Sequence, residues 1–260
     1  MILHLRYYIR LAKFSVFEEF SNIPASLSRY LMYPVYILIP SSMWIKFNSA
    51  PNHFNFSELI QYVGLAQVLQ MTLFPASTTQ SATGEFTISL ARPRSWLMSH
   101  AFQSLGKGLA GRFILIPLYI FVCFILNISV YGAIQNALRF IPCFLLISLL
   151  DAQWSLLFSN ATLLWHNTKQ FRFPVLKLFL IFGGVMGPLS ELSDPWKSVF
   201  MATPFADIIF HPAYYAVKGH FYQIQPLEWV LRIGVQFLAL TFLNIFLHRV
   251  ARKNHLSYGG

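Results

Sequence analysis

Asp151 and Gln153 are the residues whose position most strongly suggests chemistry, because they lie inside a long apolar run, LLDAQWSLLFSN. A carboxyl group in such a run is costly to bury, and ionisable residues of this kind often mark substrate or proton pathways. Two interpretations follow. The pair forms a relay, or it bonds to a neighbouring helix or faces a water-filled cleft. A single acid is thin support for a relay, so the second interpretation is favoured.

The most polar short segment is GEFTISLARPRSW, residues 84–96, which separates two strongly apolar runs. It combines a glycine, one acid, two arginines and a proline. Composition alone allows it to be an ordinary basic loop whose arginines contact lipid phosphates.

Several catalytic motifs are absent from the sequence. There is no GxxxxGK[ST] pattern, so the chain is not expected to bind ATP through a P-loop. The GxGxxG match at residues 106–111 follows no strand and adjoins an apolar run, which argues against a dinucleotide site. HExxH, paired CxxC and GxSxG patterns do not occur. Cys123 and Cys143 fall in apolar runs and are expected to be buried thiols, so no metal site is predicted.

The composition predicts an integral membrane protein. Of the 260 residues, 56% are hydrophobic and 11% are charged, and the mean hydropathy is +0.54. A membrane-spanning helix needs about 20 apolar residues, so the chain has room for about six spans in a single transmembrane domain, residues 1–260. The net charge of +10 indicates basic loops facing the cytoplasm and anionic lipid rather than nucleic acid.

The elements that carry these residues are predicted from the apolar runs. Arg6, Arg10 and Lys13 recur at helical spacing, which favours an amphipathic helix at the membrane interface over a simple lead-in to the first span. The predicted fold is all-α, with six transmembrane helices at about 27–46, 58–80, 110–131, 138–165, 174–191 and 227–248. The predicted segments are an interfacial helix (1–26), spans one and two (27–80), a cytoplasmic segment (81–109), spans three to five (110–191), an extracytoplasmic or re-entrant segment with short helices (192–226), and span six with a basic tail (227–260).

The distribution of basic residues predicts the orientation. With the N-terminus inside, 14 of the 19 Lys and Arg residues, Arg112 among them, lie in cytoplasmic segments and the other 5 lie outside. Cytoplasmic loops are enriched in Lys and Arg, so both termini and residues 84–96 are expected in the cytoplasm. Gly183 and Gly187 form a small-xxx-small pair, which favours close helix packing over flexibility.

The order of these features resembles the permease subunits of ABC-2 type exporters. Gly84 followed by Leu90-Ala-Arg92-Pro93-Arg94-Ser95 is similar to a "G…L-L-R-P-x-S" segment of one branch of that family. The amphipathic N-terminal helix and the stretch from MGPLSEL to HPAYYAVKG are also similar to it. Two residues depart from the pattern, Thr203 before Pro204-Phe205 and Ala91 before Arg92, and neither breaks it.

The resemblance implies that a separate ABC ATPase subunit binds ATP and that this chain binds no cofactor and is not an enzyme. It also implies a second permease copy or paralogue, with spans one and five as contact faces, and a bacterial inner membrane location. The segment after span two would carry a coupling helix that docks on the ATPase. Gly84 would let the chain turn, and Pro93 would bend it before span three. The residues expected to contact the ATPase are Gly84, Glu85, Phe86, Ile88, Leu90, Arg92, Pro93 and Arg94.

Two other function classes remain open at this point. One is a secondary transporter driven by a proton or ion gradient, with Asp151 as the coupling residue. The other is a membrane-embedded scaffold or an enzyme of lipid metabolism, which would require a polar catalytic cluster at the interface, and the sequence shows none. For the exporter we predict a hydrophobic, amphipathic or glycan-type cargo, and neither the residues nor the resemblance identifies it.

Overall fold

The computed structural model describes residues 2–22, 24, 27, 30–47, 54–74, 95–165 and 169–258. All regular structure within these ranges is helical, which confirms the all-α prediction. The helices are α1 (Ile2–Ser21), α2 (Tyr33–Phe47), α3 (Phe56–Thr72), α4 (Trp96–Ile125), α5 (Val130–Trp165), α6 (Lys169–Phe182), a 3-10 helix (Leu189–Glu191), α7 (Trp196–Met201), α8 (Pro204–Ile208), α9 (Phe210–Lys218) and α10 (Pro226–Tyr258).

Three helices in the described ranges are long and apolar enough to cross a membrane, namely α4, α5 and α10. They correspond to the predicted spans three, four and six, and they support a membrane protein. Helix α4 begins at Trp96, so residues 96–109, which we assigned to the cytoplasmic segment, belong to this long helix. Helix α10 continues to Tyr258, well beyond the predicted end of span six.

The predicted spans one, two and five correspond to shorter helices, α2, α3 and α6. They have 15, 17 and 14 residues, and at about 1.5 Å per residue each is shorter than the hydrocarbon core of about 30 Å. That these three helices cross the membrane therefore remains a prediction. Helix α6 ends at Phe182, and the following GGVMG forms turns instead of continuing the helix as we expected.

Helix α1 packs along the first half of α4. The rings of Tyr8 and Phe102 stack with centroids 5.5 Å apart, and Lys107 Nζ donates a hydrogen bond to Glu18 at 3.2 Å. The other face of α1 is exposed and includes Phe14 and Phe17. The predicted N-terminal helix is thus fixed to the longest apolar hairpin of the chain, while its place at the membrane interface remains a prediction.

Helices α4 and α5 form an antiparallel hairpin through the short connection 126–129, and α10 packs against the other side of α5. Much of α10 is exposed in the single chain, with Val235, Phe242 and Phe246 among its outward apolar residues. Several of the shorter helices pack against this hairpin and α10.

Short helices fill the chain between α6 and α10. Helix α9 packs against α3 and α5, and the rings of Phe54, Tyr62, Phe210 and Tyr214 meet there at centroid distances of 5.5–6.1 Å. Lys218, at the end of α9, bonds Glu58 at the start of α3 at 2.8 Å. These contacts hold the short helices on the end of the bundle that carries the α4–α5 connection.

Candidate functional site

The residues that the sequence predicted to contact an ATPase lie outside the described part of the chain. These residues are Gly84, Glu85, Phe86, Ile88, Leu90, Arg92, Pro93 and Arg94. The structure describes the two points that flank them. The chain leaves the described region at Phe74 and re-enters it at Ser95, whose hydroxyl caps α4 by accepting a hydrogen bond from the Met98 amide at 3.4 Å.

Asp151 is not isolated in its span, because it forms an ion pair with Arg112 of α4. Arg112 Nη2 lies 3.0 Å from Asp151 Oδ2, and the two side chains are 0% and 2% exposed. Arg112 also donates through Nη1 to the hydroxyl of Ser148, which in turn donates to the Phe144 carbonyl of α5. A buried pair of opposite charges with these additional hydrogen bonds holds α4 and α5 in a fixed register.

The second oxygen of Asp151 binds the backbone of Phe74, just beyond the end of α3. The Phe74 amide donates to Asp151 Oδ1 at 2.8 Å, and the Phe74 carbonyl accepts from Arg172 of α6 at 2.9 Å. Phe74 has a positive φ of 57°, a conformation that a bulky residue adopts only when its surroundings impose it. Both backbone polar groups of this residue are therefore fixed by charged side chains of other helices.

The ring of Phe74 contacts aromatic side chains of α5 and α6. Its centroid lies 4.9 Å from that of Phe158, 5.5 Å from that of Phe179 and 6.1 Å from that of Trp154. The contacts with Phe158 and Phe179 are edge-to-face, a geometry that adds to the free energy of apolar burial. We call Phe74, Arg112, Asp151 and Arg172 the Phe74 junction.

The end of α3 also lies directly against α4 at the level of this junction. A Cβ atom on Gly111 would lie 3.1 Å from Thr72 Cγ2, so the side chain of Thr72 packs closely against the helix surface at this glycine. Arg112 is 16 residues from Trp96, about 24 Å along the helix axis. The chain between Phe74 and Ser95 therefore starts deep in the helix bundle and ends at the far tip of α4.

Gln153, the second polar residue predicted for a pathway, contacts α10. Its carbonyl and its side-chain oxygen accept hydrogen bonds from the Asn244 amide at 2.9 and 3.1 Å, and Asn160 donates to the Asn244 side chain at 3.1 Å. These bonds join α5 to α10. Asp151 and Gln153 thus face different neighbours, and the structure does not bring them together in one site.

Gly183 and Gly187 both lie at close approaches, although not within a helix. A Cβ atom on Gly183 would lie 2.9 Å from Ile209 Cδ1, and one on Gly187 would overlap with the indole of Trp44 on α2. These glycines form the turns after α6. Their lack of a side chain lets α2 and the short helices pack against the C-terminal end of α6.

The arrangement suits mechanical coupling better than bond chemistry. One residue at the exit of α3, Phe74, is tied to α5 and α6 by charged hydrogen bonds, and α5 is joined to α4 by the Arg112–Asp151 pair, so a displacement at that point would act on three helices. Among the described residues, no group of three or more His, Cys, Asp and Glu side chains is placed to hold a metal ion. No protein-family model matches the chain, and no curated protein matches it in sequence.

Sequence reasoning missed the role of Arg112, which it counted as a cytoplasmic charge. The available signal was the short connection at 126–129. It makes α4 and α5 antiparallel neighbours, so Arg112 faces the middle of α5, and Asp151 is the only acid in that helix.

Proposed function

We propose that the chain is the membrane-spanning permease subunit of an ABC-2 type exporter, driven by a separate ATPase subunit. With a second permease it forms the export path for a hydrophobic, amphipathic or glycan-type substrate. The protein resides in the bacterial inner membrane with both termini in the cytoplasm. ATP binds and is hydrolysed on the partner, and the permease itself is not an enzyme.

The observation that supports this proposal best is the Phe74 junction. It immediately precedes the part of the chain that contains residues 84–94, whose pattern resembles a coupling helix. An ATPase that moves this segment would move α5 through Asp151, α6 through Arg172 and α4 through the ion pair. Rigid-body movement of packed helices is an established way to transmit such a displacement.

The packing of α1 is a second supporting observation. Helix α1 lies on the first half of α4, near the point at which the chain returns from residues 84–94. A force applied to the start of α4 therefore also acts on α1 through the Lys107–Glu18 ion pair.

A gradient-driven transporter that uses Asp151 is less well supported by the contacts. Both carboxylate oxygens of Asp151 accept hydrogen bonds, from the Phe74 amide and from Arg112, and the side chain is 2% exposed. A coupling carboxylate needs access for its ion or proton, and this one is enclosed. Loss of gradient-driven uptake or efflux in an otherwise folded Asp151→Asn protein would revive that alternative.

Charge reversal at Arg92 and Arg94 should abolish recruitment of the ATPase. In co-purification with candidate ATPases from detergent-solubilised membranes, we expect Arg92→Glu/Arg94→Glu to reduce the bound ATPase by roughly tenfold or more, as expected when a charged contact is replaced by a like-charge contact. The matched control is Arg249→Glu/Lys253→Glu at the end of α10, which makes the same change of charge elsewhere on the predicted cytoplasmic side.

Different results would contradict the permease assignment and the role given to Arg92 and Arg94. If the wild-type chain recruits no ATPase from any candidate, the permease assignment is contradicted. If both charge-reversed proteins recruit and stimulate the ATPase like the wild type, only the role of the two arginines is contradicted.

A further inference from the structure

A second buried polar cluster lies among the short helices, at the opposite end of the bundle from the start of α4. Asp207 on α8 and His211 on α9 are 4% and 1% exposed, and Asp207 Oδ1 lies 3.8 Å from His211 Nε2. Within the described part of the chain, Asp207 Oδ1 and both ring nitrogens of His211 have no hydrogen-bond partner. Unpartnered buried polar atoms are rare and call for a specific explanation.

The cluster also ties the short helices to α10. The Asp207 carbonyl accepts a hydrogen bond from Trp229 Nε1 at 2.8 Å, and Asp207 Oδ2 accepts one from Gln236 Nε2 at 2.8 Å. Arg232 Nη1 lies 3.8 Å from Asp207 Oδ1, while Arg232 Nη2 bonds Glu228 at 2.6 Å. The Asp207 side chain is thus placed between its own short helices and α10.

The charges at this site do not balance. Asp207 and Glu228 carry two negative charges and Arg232 carries one positive charge, so with a neutral His211 the cluster has a net charge of −1. One proton neutralises it. A proton on Asp207 Oδ1 also provides a donor that faces the Nε2 acceptor of a neutral imidazole, at a distance about 1 Å longer than a hydrogen bond.

We propose that Asp207 and His211 form a proton-binding site, and that the bound proton holds the segment 204–218 against α10. The reaction is a simple protonation, in which a solvent proton binds Asp207 Oδ1, the oxygen that faces His211 Nε2. This site is distinct from the Phe74 junction, and the proposal does not depend on the identity of an ATPase.

The other charged groups of the packed elements are engaged elsewhere. Lys218 on α9 bonds Glu58 of α3, and Arg139 of α5 lies beside Gly219, beyond the end of α9. On α6, Lys177 lies over the ring of Phe173 and Arg172 bonds the Phe74 carbonyl. Lys197 belongs to α7 and Glu191 to the 3-10 helix, and neither is among the groups that shift the pKa of Asp207.

The electrostatics of the pair agree with this geometry. Burial raises the pKa of Asp207 from 3.8 to about 6, against the opposing effect of Arg232. Burial lowers the pKa of His211 to about 3, so the imidazole stays neutral and available as an acceptor. A carboxyl group whose pKa is higher when docked binds its proton more tightly in that state, so protonation stabilises docking. The effect is complete below about pH 4 and is lost as the pH rises through about 6.

Hydrogen exchange of the intact chain in lipid nanodiscs tests this site. After correction for the intrinsic pH dependence of exchange, peptides covering 204–218 should be roughly tenfold more protected at pH 5 than at pH 8, while peptides from the middle of α5 should not change. Asp207→Asn removes the titrating group and should remove this difference. Arg232→Gln removes the charge that opposes protonation, so the gain in protection should begin at a higher pH than in the wild type.

Equal protection of 204–218 at both pH values in the wild-type chain would overturn the proposal without any variant. An unchanged pH dependence in Asp207→Asn would also overturn it, because the titrating group would then lie elsewhere. Neither result bears on ATPase recruitment, so this proposal and the proposed function fail independently.

Discussion

Replacing Asp151 by Leu should destabilise the protein by about 3–5 kcal/mol, the cost of leaving one member of a buried ion pair without its partner. Arg112 is 0% exposed, so its charge cannot reach water without moving α4. The change also removes the acceptor of the Phe74 amide, which adds the cost of an unsatisfied backbone group. The measurement is the free energy of unfolding in mixed micelles, followed by helical circular dichroism.

Two further variants distinguish the effect of the Asp151 charge from the effect of its hydrogen bond and its volume. Asp151→Asn keeps an acceptor for the Phe74 amide and loses only the charge, so its loss of stability should be smaller than that of Asp151→Leu. Arg112→Met/Asp151→Leu removes both charges and should recover most of the stability, because apolar side chains of similar volume can replace a buried ion pair. A double variant as unstable as Asp151→Leu would mean that the pair is not the source of the effect.

The long apolar runs could be predicted from sequence because membrane crossing depends on local composition. Spans three, four and six therefore correspond to α4, α5 and α10. Helix α4 begins 14 residues before the predicted span three, and the sequence did not reveal this because WLMSHAFQSLGKGL contains enough polar residues to resemble a loop. In the structure, this part of α4 packs against α1. The composition of one segment does not reveal that its neighbour will cover it.

The pairing of charged groups could not be predicted in the same way. Counting basic residues assigns Arg112 to a side of the membrane by its position in the chain, while its partner Asp151 is 39 residues away. The Asp207 cluster depends on Arg232 and Gln236 in the same manner. A local signal existed, because Asp207 and His211 are four residues apart in the apolar segment PFADIIFHP, and such a pair shares one face of a helical segment.

The Phe74 junction and the Asp207 cluster join different sets of helices. The Phe74 junction connects the exit of α3 to α4, α5 and α6, whereas Asp207 connects the short helices to α10. Helix α5 contacts both sets, because it carries Asp151 and also packs against α9 and α10. We therefore expect a movement that starts at the Phe74 junction to reach the short helices through α5.

Replacing Gly106 by Ala should destabilise the contact between α1 and α4. A Cβ atom at this position would overlap with the backbone oxygen of Ala12 on α1 and would lie 3.1 Å from Ser15 Cβ. A backbone atom cannot rotate away, so one of the helices must shift, at a cost of about 1–3 kcal/mol. Hydrogen exchange of peptides from residues 2–21 should increase by roughly tenfold or more, because each 1.4 kcal/mol changes the opening equilibrium tenfold.

The matched control is Gly234→Ala on α10, where an added Cβ atom would meet nothing within 4 Å in the described structure. Both glycines lie inside long helices, so the same substitution has the same intrinsic effect on helix formation, a gain of about 0.5–1 kcal/mol. The two variants therefore differ only in what the methyl group contacts, and their effects on stability should have opposite signs. If Gly106→Ala is as stable as Gly234→Ala and leaves the exchange of α1 unchanged, α1 does not pack on α4 in the membrane. In that case α1 is free to lie on the lipid surface by itself, and a force applied to the start of α4 would not reach it.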